Sequence, residues 1–158
     1  MSRADAMVNQ VLDALVTLLG TINSTTSPTL WLTTPKKVVR YAANPLALVR
    51  PALTVSCSRF GVNDPQTNRK HRAQADFEVR CIVNYGTAVD DPTRDLHRLV
   101  ADVLAAVEQN NQLSGVLSSG WIHTIDGYQP EVELASTSGF ASCSVALRAE
   151  WEWSADNP

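Results

Sequence analysis

The sequence has no glycine-rich phosphate loop, no H-E-x-x-H, no G-x-S-x-G and no C-x-x-C anywhere in its 158 residues. Each absence removes a class: a phosphate cradle, a zincin, a nucleophile-elbow hydrolase and a paired-cysteine zinc site. No apolar run approaches the roughly 20 residues that a membrane span needs. The first apolar stretch is interrupted by Asn9, Gln10 and Asp13 and lacks a signal-peptide pattern, so folding in cytosol is expected. Charge is also scarce, 18% of residues with a net of −3, which argues against disorder, a membrane-surface protein or a global nucleic-acid binder. Cysteine is limited to three residues without paired spacing, which fits a reducing compartment.

What the chain does contain is a normal core composition, 44% hydrophobic, in a length suited to one domain spanning residues 1–158. Its organising stretch runs from Ala73 to Gln109. Ala73, Ala75, Phe77, Val79, Cys81, Val83 and Tyr85 alternate with Gln74, Asp76, Glu78, Arg80 and Asn84, the period of a strand with one buried face. Asp91-Pro92 then supplies an N-cap acceptor and a proline at the first helical position. Leu96, Leu99, Val100, Val103, Leu104 and Val107 recur at helical spacing until Asn110-Asn111.

Ahead of this unit, Met7, Val8, Val11, Leu12, Leu15, Leu18 and Leu19 form an amphipathic stripe, predicting a helix over 4–20. Residues 23–51 read as an irregular arm broken by Pro35, Pro45 and Pro51, with a short strand possible at Thr29–Thr33. Strands are predicted over 52–60, 73–85, 131–136 and 140–153, with a weaker one at Trp121–Ile125 ending in the Asp126-Gly127 turn. Between the first two lies a polar loop, Gly61 to Arg72, longer than a hairpin needs. The order predicts an α+β core over 52–153, a mainly antiparallel sheet with two helices, 4–20 and 91–109, on one face.

Candidate chemistry is thin. Cys57, Cys81 and Cys143 all fall on inward strand positions, where small buried hydrophobes are the favoured reading and a three-thiolate zinc site the alternative. His71, His97 and His123 are read as surface residues; His123 with Asp126 has the spacing of an acid–base pair that often arises by chance. No catalytic, cofactor-binding or metal residue is assigned, and no enzyme is expected. The basic run Arg69, Lys70, His71 and Arg72 is the candidate partner contact, to an acidic protein surface or to phosphate. Trp151 and Trp153 share the inward face of the last strand, leaving Arg148, Glu150 and Glu152 opposite.

The total charge hides an asymmetry. Residues 1–80 carry ten Lys/Arg and five Asp/Glu, and residues 81–158 carry three and eleven, so the halves stand at +5 and −8. Either the halves interleave and mix, or the particle has a basic and an acidic flank suited to head-to-tail contact. On the second reading Lys36, Lys37, Arg40, Arg148, Glu150 and Glu152 are candidate subunit-interface residues.

A leading helix, an arm, Arg50-Pro51-Ala52-Leu53-Thr54-Val55 opening the first long strand, a basic hairpin loop, Asp91-Pro92 with its helix and a final hairpin follow in order. This arrangement resembles the tail terminator (tail completion) proteins of long-tailed bacteriophages over nearly the whole chain. The resemblance implies a virion protein, assembled in the host cytoplasm, that forms a homo-oligomeric ring, typically a hexamer. It implies contact with the tail tube protein and the head connector or neck protein, transient passage of DNA through the lumen, no cofactor and no membrane. The alternatives are another head-tail joining protein of the neck, a small-ligand-binding α+β module, and a small hydrolase.

Overall fold

The computed structural model describes residues 3–44, 47–62, 70–85, 91–125, 132–135 and 139–154. Helix α1 spans Arg3–Leu19, strand β1 Lys37–Arg40, β2 Ala52–Val62 and β3 Lys70–Asn84. Helix α2 spans Pro92–Gln109, followed by a 3-10 turn at Leu113–Gly115, β4 Gly120–Thr124, β5 Val132–Ala135 and β6 Phe140–Ser154. The strands form one sheet in the order β1-β2-β3-β6-β4, with β5 also paired to β6. All pairs are antiparallel except β1 with β2. The fold is therefore α+β, as the hydrophobic pattern predicts.

Alternation dictates the layering. Phe77, Val79, Cys81, Val145, Leu147 and Trp151 point to the helical side and are buried, together with Leu53, Val55 and Ile122 from the flanking strands. From the helices, Val11, Leu15 and Leu19 of α1 and Leu96, Leu99, Val103 and Val107 of α2 close the same core. Each such side chain gains roughly 1.5–3 kcal/mol on burial, offset by the entropy of ordering it. Helix α2 starts where its cap predicts: Asp91 Oδ1 accepts from Arg94 N at 2.9 Å, with Pro92 in the first turn. It ends at Asn110, whose amide bonds Ser114 N at 2.9 Å and Ser114 Oγ at 3.0 Å. That clasp holds Leu113, Ser114 and Gly115 at φ of 50°, 55° and 92°, the left-handed region.

Several expectations need correction. The 23–51 arm is not wholly irregular: Lys37–Arg40 forms the parallel edge strand β1, with Tyr41 N donating to Val55 O at 2.9 Å. Thr29–Thr33 is not a strand, because Ser27 O accepts from both Leu30 N and Trp31 N and folds the segment into a turn. The first hairpin is longer in both arms: β2 continues to Val62, and β3 begins at Lys70 rather than Ala73. A bulge between Cys57 and Arg59 shifts the register within β2. Leu104 belongs to the predicted α2 stripe yet is exposed, while Asp102 and Ala106 are buried in its place. The weak strand is confirmed as Gly120–Thr124, and 131–136 is confirmed as Val132–Ala135; Glu131, Ser136, the Asp126-Gly127 turn and Arg69 lie outside the described residues.

Candidate interaction surfaces

The helices cover one face of the sheet; the other carries polar side chains in transverse rows. Pairing places Arg59 opposite Asp76, Asp76 opposite Arg148, and Arg148 opposite His123, so one row crosses four strands. Its centre is a forked ion pair, Arg148 Nε to Asp76 Oδ1 at 2.7 Å and Arg148 Nη2 to Asp76 Oδ2 at 3.1 Å. The hydrogen bond from Arg148 holds the Asp76 carboxyl below the usual range, with the charges of Arg148 and Arg59 adding to it against the opposing effect of partial burial. The same pair raises the Arg148 guanidinium further, through the hydrogen bond first. Adjacent rows are tied by Ser144 Oγ donating to Glu78 and by Arg80 Nη2 donating to Ser142 Oγ at 3.0 Å. His123 is half-buried, and its Nδ1 is enclosed without a hydrogen-bond partner.

The arm is fastened to α2 by a carboxylate that charge counting does not single out. Asp102, 2% exposed, accepts from Leu32 N at 3.0 Å, from Thr33 N at 2.7 Å and from the Thr33 hydroxyl. Its signal in the sequence is position: three residues after Leu99 and four before Ala106, it lies on the buried stripe. The clamp fixes Trp31 inward and leaves Leu32 59% exposed beside Arg94, His97 and Arg98 in a groove of about 400 Å³. Farther along the arm Tyr41 and Val49 are also exposed, at 73% and 63%. Leu48, by contrast, turns in and packs with Ala52, Ile82 and Phe140 over one end of the open face.

Within the sheet the two halves of the chain do not interleave. Strands β1, β2 and β3 are contiguous, and so are β6, β4 and β5. Helix α1 packs on β1 and β2, whereas α2 packs on β3, β6 and β4. The basic and acidic portions consequently meet along β3 and β6 and reach opposite edges of the sheet.

The residues singled out from sequence separate accordingly. Lys36 and Lys37 are exposed at the β1 edge; Arg40 is exposed too but folds back onto α1, Nη1 to Asp13 Oδ1 at 3.0 Å and Nη2 to Asn9. Arg148 is engaged within its own sheet, Glu150 is half-buried beside Trp121 in register, and Glu152 is exposed opposite Arg72. Of the basic run, Arg72 is exposed on β3; Lys70 and His71 are strand residues rather than loop, and their side chains, like Arg69, lie outside what is described. His97 is exposed on α2.

Cys81 and Cys143 are buried opposite each other on β3 and β6, and Cys57 is half-buried. Burial pushes all three thiols up, Cys81 the furthest with its neighbour Cys143 adding to the effect. Burial thus disfavours the thiolate form at all three positions. Among the described residues no group of three His, Cys, Asp or Glu side chains is placed to hold a metal ion. Nor is any described helix long and apolar enough to cross a membrane.

No protein-family model matches the chain, and no curated protein matches it. A chain from the virion of a native gene transfer agent particle is similar over 88% of this chain and 84% of its own, at 18% identity and a TM-score of 0.36.

Proposed function

We propose that this chain is a structural virion protein of a tailed-phage-like particle, a tail terminator whose copies form a ring on the last layer of the tail tube and offer the surface to which the head connector joins. The observation that carries the reading is the lateral polarity of the sheet. One edge belongs to the half of the chain with excess lysine and arginine, the other to the half with excess acid. A subunit with two different, complementary sides associates head to tail, and head-to-tail association closes into a ring when the rotation between copies allows it. The order of elements, which resembles the tail terminator family, supplies the rest of the reading. No catalytic step is assigned to it, and a ring of negatively charged copies suits transient passage of DNA by repelling it rather than holding it.

The test is tube assembly. Tube protein polymerised with this chain should stop at a defined length, with the chain at one end in electron micrographs. Tubes that run on unchanged in its presence would overturn the assignment.

A further inference from the structure

The described residues expose large apolar side chains at both edges of the sheet. At the β1 edge Tyr41 follows the strand directly, 73% exposed, and Lys36 and Lys37 stand exposed at the strand's other end. At the β4 edge Trp121 is 45% exposed and stands opposite Glu150 in register. On the helical side of that same edge Leu104 and Glu108 border a groove of about 400 Å³ against Ile122, His123 and Thr124. Each edge thus pairs apolar surface with charge of one sign, and the signs are opposite.

We infer that these two edges are the two halves of one interface: Tyr41, Lys36 and Lys37 of one copy seat on Leu104, Glu108, Trp121 and Glu150 of the next. The inference rests on the ring reading and specifies its contact. The edges lie at opposite ends of a single sheet, with β2, β3 and β6 between β1 and β4, so they cannot meet within one subunit. An identical copy supplies both missing surfaces at once. Apolar burial would provide the affinity, and the lysine–glutamate pairing would set register and exclude like-charged approaches. The backbone agrees with a side-chain contact at the β4 edge rather than simple strand addition: Ile122 N already donates to Asn111 O at 2.7 Å and Gly120 N to Leu117 O at 3.1 Å. Arg40 and Arg148 are excluded from the contact because Asp13 and Asp76 hold them within the subunit.

Charge reversal tests this on the full chain by sedimentation at low ionic strength. Lys36→Glu with Lys37→Glu, and separately Glu108→Lys with Glu150→Lys, should each raise the concentration needed for assembly by about tenfold or more, leaving the 17.2 kDa chain unassembled where the native protein is a ring. Mixing the two variants, or combining all four changes in one chain, should restore assembly because each reversed edge meets its reversed partner. The melting temperature of every variant, together with the milder Lys36→Gln with Lys37→Gln, checks that folding is intact. Reversals that leave assembly unchanged, or losses that mixing does not repair, would overturn this interface while leaving the ring standing. A native chain that stays a monomer at every soluble concentration would remove the ring itself.

Discussion

Asp102 shows how one side chain decides the course of a whole segment. A carboxylate in a core is tolerated only when its oxygens are matched, and here two backbone amides and a hydroxyl match them. Asp102→Ala would leave the part-buried Leu32 and Thr33 donors without their acceptor, at up to about 1–3 kcal/mol for each group that water does not reach. A lowered denaturation midpoint, with the arm cleaved by protease under native conditions, is the expected outcome; an unchanged midpoint would mean that the arm is held elsewhere. Asp76 makes a second residue-scale prediction. Its folded pKa is depressed below the unfolded value near about 4, so its stabilising contribution is complete above that value and is lost as pH falls through the lowered one. Arg148 stays cationic throughout. Acid titration of stability should therefore steepen below about pH 4 in the native protein and flatten in Asp76→Asn.

Elements with strong periodicity were legible in the sequence, and elements fixed by neighbours were not. Strands β3 and β6 show more than ten residues of alternation, and α2 carries both its cap and its stripe. Strand β1 offers four residues between prolines at 35 and 45, and as a parallel edge strand it owes its existence to β2 rather than to its own pattern. The ends of the first hairpin depart from their sequence pattern for a different reason. Lys70, His71 and Arg72 look like loop residues by charge, but their backbone pairs with Ser154, Trp153 and Glu152 of β6. The phase of α2 shifted because a polar residue, Asp102, occupies a buried position that a hydrophobic count assigns to Leu104. Strand β4 depends on a residue that no periodicity marks. A Cβ on Gly120 would lie 1.8 Å from Glu150 O and 2.7 Å from Trp151 Cα, both backbone atoms. Gly120→Ala must therefore push β4 away from β6, and hydrogen exchange at Trp121–Thr124 should accelerate; native-like protection there would contradict the close approach.

At the scale of the molecule, the sheet's polarity follows from chain order alone: the first half builds one side, the second half the other, and composition makes the sides unlike. The charge asymmetry was readable from residue counts. Its segregation in space was not, since the same counts in interleaved strands would have cancelled. The open face adds little net charge of its own, because Asp76, Glu78, Arg80 and Arg148 are engaged across it. The edges are where lysine and glutamate outside that network stand beside exposed apolar surface among the described residues. Contacts between such edges are steered by charge and so weaken as salt screens them, over a length of about 10 Å at 0.1 M. Light scattering of the purified chain across ionic strength measures this most directly. The account predicts a single species whose mass is a multiple of 17.2 kDa at low salt, dissociating as salt rises. A mass of 17.2 kDa at every concentration and every ionic strength would contradict it.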